Sequence, residues 1–569
     1  MRDRESQKKI YPLQFAVMCN GTAFQKWQAD AIQELRGHGH KLILLIRDAR
    51  SMPDRKSPKR KPKMKFRTLL FSVLENRMFK PEAREMVDLS AELEGIITLP
   101  CGIRTKGCSE YFYDPEVEAI KTFNLDFILR FGFGILRGDI LNAAKFGVWS
   151  FHHDDEMRYR GGPAGFWEIL NNDNVSGAIL QRLTNRLDAG MILRKGYLKT
   201  VHHSYKGNIN QLLSISSSWP AQVADEITRF PADFQELSPT DAPIYKIPDN
   251  LTMIRFLFKL FFNRVRFYYK ELVAAEVWNV GLIRKPVHEV ALEGARLKGS
   301  DIQWLRHFGE TKYLADPFGF IERRKLHIMV EDYSYSKQKA SISEIIYDLS
   351  RDSFSVPIRV IEEDEHLSYP CIVEDDGNIY CIPESYRAAQ IVLYRRNYSE
   401  EAFMEETVLL SGIEAVDPTI FSHNGLWWLL FTTKKFSTTH LFVYYAEKIT
   451  GPFLPHLRNP VKIDIRSARP GGFPFYYEGN LYRPAQDCSL TYGGSIVINR
   501  IVRLTPDEFT EEIVNRIGPV KGTPFDKGLH TLSGVGNFTL IDGKRYRINR
   551  FFFMSQMSEK LKKDYSENA

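Results

Sequence analysis

Unbroken apolar runs alternate with amphipathic stretches through the first 150 positions. LQFAVMC (13–19) and KLILLIR (41–47) have the pattern of strands buried on both faces. TAFQKWQADAIQEL between them predicts a crossover helix. LDFILRFGFGIL (125–136), the helical RGDILNAA and FGVWSF (146–151) continue the alternation. This order predicts a doubly wound α/β domain with its ligand site beyond the carboxyl ends of the strands. Asn20-Gly21, Gly132-Phe133-Gly134 and Ser150-Phe151-His152 fall at such ends.

The second half of the chain has a different rhythm. Four phrases recur: ADPFGFIERRKLHIMVE (315–331), SYPCIVEDDGNIYCIPE (368–384), VDPTIFSHNGLWWLLFT (416–432) and ARPGGFPFYYEGNLYRPAQD (468–487). Each places a polar residue before proline, then a strand, a turn and a second strand. Pro317, Pro370, Pro418 and Pro470 recur about every 50 residues, the period of propeller blades. LHTLSGVGNFTLIDGKRYRI (529–548) is a weaker fifth unit, and VWNVGLI (277–283) is an early strand suited to closing the ring. The expected architecture is an all-β five-bladed propeller.

Two stretches lie outside these rhythms. Residues 47–67, RDARSMPDRKSPKRKPKMKFR, read as an exposed loop or as a contact surface for an acidic partner. Residues 254–273, IRFLFKLFFNRVRFYYKELV, are aromatic and basic together, with no acid before Glu271. They suit a helix packed on a neighbouring domain, or one making peripheral contact with a membrane surface.

Composition narrows the class. Of 569 residues, 43% are hydrophobic and 26% charged, as in globular proteins, and the length exceeds one ordinary domain. The net charge, 77 − 70 = +7, gives no argument for a nucleic-acid partner. The six cysteines are scattered without zinc-type spacing, which fits buried thiols in a reducing compartment. The charged N-terminus shows no signal peptide, and no apolar run reaches the roughly 18 residues of a membrane span. These features lead us to expect a cytoplasmic protein with a membrane association left open.

The densest candidate chemistry is GVWSFHHDDEMRYRGGPAGFW (147–167). A metal nest of His152, His153, Asp154, Asp155 and Glu156 is disfavoured, because adjacent side chains on an extended segment point opposite ways. The stretch resembles the catalytic loop of formyltransferases that use 10-formyl-tetrahydrofolate. In them a strand ends in Asn-x-His, followed by Tyr-Arg-Gly and, later, a Leu-Asp-x-Gly turn. Here His152 is followed by Tyr159, Arg160 and Gly161, and RLDAGMIL supplies Leu187-Asp188-Ala189-Gly190. The resemblance implies that His152 is the acid/base and Asp188 its carboxylate. The Gly132-Phe133-Gly134 loop would lie against the pterin, with Arg160 and Gly161 at the cofactor. Ser150 stands where that family has asparagine, so the oxyanion donor is a hydroxyl or is supplied otherwise.

In a propeller the residues before each repeated proline converge on a central funnel. Asp316, Tyr369, Asp417 and Arg469 are such positions, and His366, Glu384, Arg483, Gln486, Asp487 and His530 lie on or next to the same strands. HLSYP, IYCIPES, VDPTIF, ARPGG and LYRPAQDCS resemble the propeller domain of glucosamine inositolphosphorylceramide transferases. The blade pattern also resembles arabinanase-type glycosidases. Both resemblances imply carbohydrate or glycolipid handling, with Asp316, Glu384, Asp417, Arg469, Arg483 and Asp487 as the candidate residues.

The expected organisation is a formyltransferase-like α/β domain over 11–230, a linker with a basic aromatic helix over 231–274, and the propeller over 275–555. The expected activity is formyl transfer to the amine of an amino sugar, nucleotide- or lipid-linked, while the propeller holds the sugar or its carrier. The rival reading is a non-formylating glycan-binding or glycosyl-processing protein with a degenerate N-terminal domain. No metal is expected.

Overall fold

The computed structural model describes residues 11–51, 66–185, 190–230, 235–236, 241–292, 297–306 and 311–548. The chain forms two compact units that divide near Val265. Most of the basic stretch 47–67, Asp188, and the end of the chain beyond 548 lie outside the described residues.

The first unit is built on one eight-stranded sheet. Five strands are parallel, in the spatial order Ile97–Cys101, Lys41–Asp48, Gln14–Cys19, Phe127–Arg130, Val148–His152. Strand order therefore reverses between Gln14–Cys19 and Phe127–Arg130, which opens a crevice at their carboxyl ends. The sheet is not parallel throughout. Val175–Arg182, Met191–Lys199 and Gln235–Glu236 extend it as antiparallel neighbours, the first two joined by a connection too short for a crossover.

Strand alternation gives the sheet two buried faces. Ala16, Met18, Ile46 and Ile128 meet Val117 and Ile120 of the helix Asp114–Lys121. Residues of opposite parity form the other face, where Phe127 stacks on Phe15 and Trp149 at 5.3 and 3.9 Å. The helix Lys26–Gly37 buries Trp27, Ala31, Ile32 and Leu35 along one stripe.

Among the described residues of the second unit there are five antiparallel sheets of four or five strands. Four are consecutive in sequence. The fifth joins Ala274–Ile283 and Ile302–Trp304 to Leu532–Val535 and Phe538–Ile548, so the first and last strands of the unit share a blade. This is a five-bladed β-propeller closed by its own ends, which leaves no open ring edge.

The repeated proline has a structural meaning. In three blades the innermost strand carries one extra residue: between Ala315 and Phe318, between Ser368 and Cys371, and between Val416 and Thr419. The residues before the prolines, Asp316, Tyr369 and Asp417, sit at φ 51°, 47° and 50°. Left-handed backbone at a non-glycine residue before proline is costly, and a bulge re-aims its side chain. The same bulge thus recurs around the ring and points a polar side chain inward in each case.

Candidate functional site

The described structure brings side chains together at two places, one in each unit. In the first unit, Ser150 and His152 alternate on the strand Val148–His152 and so share a face. Arg130 ends the neighbouring strand. Its Nε donates to Ser150 Oγ at 3.1 Å, and its Nη1 donates to the carbonyls of Phe133 and Gly134. Burial lowers the pKa of this guanidinium. Sequence reading passed over Arg130, whose only signal was a charge closing the buried run FILR. It couples Ser150 to the Gly132-Phe133-Gly134 loop. Because Ser150 accepts from Arg130, its own hydroxyl hydrogen is free to point elsewhere. Phe133 sits at φ 64° with its ring 5.0 Å from Phe112, and a Cβ on Gly132 would come within 3.1 Å of Asn20 Oδ1.

His152 is half-buried, with Nε2 3.3 Å from the Tyr159 carbonyl. The other members of the run disperse. His153 turns inward, edge-on to Trp27 and bonded to Ser216, and burial lowers it to about 3. Asp154 accepts from the Gly165 amide at 2.9 Å, and burial pushes it up to about 6. Glu168 beside it is raised well above the usual carboxylate range, by burial and then by Asp154. Lys195 takes Glu156 at 2.6 Å and Asp155 at 3.4 Å.

Arg160 and Gly161 are expected at a cofactor, yet the chain itself occupies their neighbourhood. They pair with Ile244–Tyr245, and Arg160 Nε donates to the Ala242 carbonyl at 2.8 Å. Gly161 is at φ 97°, and a Cβ there would lie 2.1 Å from the Tyr245 oxygen. The absent side chain is required by close backbone approach.

The second place is the propeller funnel. Asp316 accepts from Thr531 Oγ1 at 2.9 Å and from the Tyr369 amide at 3.3 Å, and lies 3.5 Å from His530 Nε2. His530 also pairs with Asp542 and stacks on Trp278 at 3.9 Å. Burial alone would lower this imidazole, but Asp542 and Asp316 outweigh it and hold it above its ordinary value. Asp417 is gripped by Arg469 at 2.6 and 3.0 Å and by Gln486 Nε2 at 2.6 Å. Arg469 also reaches the Tyr492 hydroxyl at 3.3 Å.

Two carboxyl pairs result: Glu331 beside Asp316, and Glu384 beside Asp417, whose amide donates to Glu384 at 2.8 Å. Burial, then the neighbouring carboxylates, raises Glu331 and Glu384 well above the usual range. Burial lifts Asp316 to about 6 against the opposing pull of His530. Burial and the neighbouring negative charge thus favour the protonated form of Glu331 and Glu384. Asp316, His530 and Asp542 also offer donor atoms within 4.8 Å of one another, a set that a cation could use although no metal is expected from the sequence.

Of the six funnel residues anticipated, Asp316, Glu384, Asp417 and Arg469 converge. Arg483 and Asp487 lie elsewhere. On the strand Asn480–Asp487 they have the parity opposite to Gln486, which is the residue that enters the funnel. Arg483 is buried on Glu511 at 2.6 and 2.9 Å and on the Ser467 carbonyl, and Asp487 pairs with Arg516. Glu331 was missed although its signal was present: Glu331 and Glu384 each stand 15 positions after a bulge residue, opposite Ala315 and Ser368.

A family model described as glucosamine inositolphosphorylceramide transferase 1, N-terminal, matches residues 297–536. Glucosamine inositolphosphorylceramide transferase 1 of Oryza sativa subsp. japonica is 31% identical over 212 residues, 36% of this chain and 28% of that protein. The chain thus spans less than a third of that relative's length. A methionyl-tRNA formyltransferase of Lactiplantibacillus plantarum is 24% identical over 197 residues, 33% of this chain and 57% of that protein. The solved family 117 glycoside hydrolase of Zobellia galactanivorans is 13% identical with a TM-score of 0.31, covering 48% of this chain and 91% of that one.

Proposed function

We propose that this chain is a carbohydrate-handling transferase of glycan or glycolipid biosynthesis whose propeller funnel receives a sugar bearing an amine. One observation carries the reading. Asp316, Glu331, Glu384 and Asp417 are drawn from three blades into two buried carboxyl pairs, beside the rings of Trp278 and Tyr492. Carboxyl groups accept hydrogen bonds from sugar hydroxyls and favour an ammonium over a neutral amide, while aromatic faces cover the ring. The similarity of residues 297–536 to a transferase family named for a glucosamine conjugate supports the same substrate class. The test is calorimetric titration with sugars carrying a free amine and with the same sugars N-acetylated. Binding of the free amine, weakened in Asp417→Asn, is expected. Equal affinity for both series would overturn the reading.

A second reading concerns the first unit and rests on Ser150, Arg130 and His152. The formyl donor, 10-formyl-tetrahydrofolate, would supply an activated one-carbon unit. Ser150, its oxygen occupied by Arg130, directs its hydrogen to the carbonyl oxygen that gains charge as an amine attacks. His152 takes the proton released by the amine and returns one to the departing folate nitrogen, so the new N–C bond and the broken one balance. Transfer of labelled formyl to an amino sugar, lost in His152→Ala, is the expected result. No transfer to any amino sugar, or unchanged turnover in that variant, would exclude this chemistry.

A further inference from the structure

The helix Asn250–Val273 has two apolar faces, and only one is covered. Met253, Phe256 and Leu260 are buried; Phe256 stacks on Phe166 at 4.1 Å. On the same side Lys259 Nζ reaches the Leu170 carbonyl at 2.7 Å, and Asn263 reaches that of His202 at 3.0 Å. At 100° per residue, Ile254, Phe258, Phe261, Phe262 and Val265 fall on the opposite side. Phe258, Phe261 and Phe262 are 63%, 60% and 64% exposed. Three exposed phenylalanines within five positions are an unusual expense for a surface facing only water.

Charge identifies what covers this face. Exposed Arg255 and Arg266 flank it on one side and Arg264 on the other, and none pairs with a carboxylate among the described residues. No Asp or Glu occurs between Asn250 and Lys270. The N-terminal end of the helix is tied to Phe66, whose carbonyl accepts from Asn250 Nδ2 at 2.8 Å. The sequence leading to Phe66, residues 52–65, carries seven Lys and Arg and one acid. A second copy of the chain, meeting this face symmetrically, would set arginines against arginines. No described helix is long and apolar enough to cross a bilayer.

We infer that the outward face of this helix docks in the plane of an anionic lipid surface, phenylalanines among the acyl chains and arginines at the headgroups. The inference stands independently of the sugar and formyl readings, because neither site is involved.

The full chain would be sedimented with vesicles of phosphatidylcholine alone, and with phosphatidylserine added at about one part in four. Association with the anionic vesicles, weakened by salt, is expected. Phe258→Ser/Phe261→Ser/Phe262→Ser should reduce it at least about tenfold. Arg255→Gln/Arg264→Gln/Arg266→Gln should reduce it by roughly fivefold per residue on anionic vesicles only. Phe261→Trp serves as a conservative probe whose emission should shift to the blue on contact. The inference is overturned by absent binding, by equal binding of the serine variant, by unchanged tryptophan emission, or by a self-association that the serine variant abolishes without any vesicle binding.

Discussion

The run His152–Glu156 and the funnel around Asp316 are composed alike, histidine among carboxylates, and the chain treats them oppositely. Five residues adjacent in sequence are dispersed to Tyr159, Ser216, Gly165 and Lys195. In the funnel, residues 33 to 214 positions apart meet: Asp316, Glu384, Asp417 and His530. An extended strand separates its neighbours by pointing them to opposite faces, whereas a closed ring of repeats gathers equivalent positions. Local density of chemical groups was therefore a poor guide to a site, and recurrence at one repeat position a better one.

Several measurements break or sharpen this contrast. The largest expected effect is on the funnel's fold. Arg469→Ala leaves the buried Asp417 carboxylate without its bidentate partner, and stability should drop by about 3–5 kcal/mol in urea unfolding. A loss under about 1 kcal/mol would mean that water already reaches Asp417.

In the first unit, Ser150→Ala removes the donor held by Arg130. If that hydroxyl meets the developing oxyanion, kcat for formyl transfer falls by a factor of about 10² to 10³ with little change in KM. A change confined to KM would reduce Ser150 to a binding role.

The third contrast is in pH. Burial holds Asp316 above its ordinary 3.8, at about 6, so its contribution to stability is complete below 3.8 and is lost as pH rises through about 6. Glu511 runs the other way. Burial would raise it, but Arg483 and Lys462 bring it from 4.5 down to about 2, so its contribution is intact above 4.5 and fades as pH falls towards 2. Asp316→Asn should thus gain on the wild type between pH 3.8 and 6, measured as the difference in unfolding free energy. Glu511→Gln should lose its deficit below pH 4.5. Parallel curves for either variant would show that its carboxyl is not held as described.

The smallest effect belongs to the dispersed run. Lys195→Ala unties the buried Asp155 and Glu156 from a lysine that itself keeps a path to solvent, and should cost about 1–2 kcal/mol. A cost matching that of Arg469→Ala would erase the distinction between the two clusters.

How much was legible follows from the same physics. Buried strands announce themselves by unbroken apolar runs, and the α/β core of the first unit was read that way. The antiparallel extension was not, because a strand's direction depends on how its connection is routed in space. The proline period revealed the blades. It also located Asp316 and Asp417, because the bulge and its proline are local features of the chain, and Arg469 by its place before Pro470. Asp487 and Arg483 were misplaced because alternate residues of a strand face opposite ways, and only the placement of Asn480–Asp487 in the ring sets which parity faces inward. Periodicity alone does not report that choice.

By itself the sequence determined which residues form strands, where three of the inner strands bulge, and which polar types stand at those bulges. Hydrophobic patterning, proline geometry and turn chemistry act over a few residues. Tertiary structure alone decided that Gln486 rather than Asp487 completes the funnel and that Glu331 and Glu384 are buried beside Asp316 and Asp417. It also decided that Arg130 supports Ser150. Inward parity, desolvation and the closeness of two like charges exist only once distant strands are packed side by side.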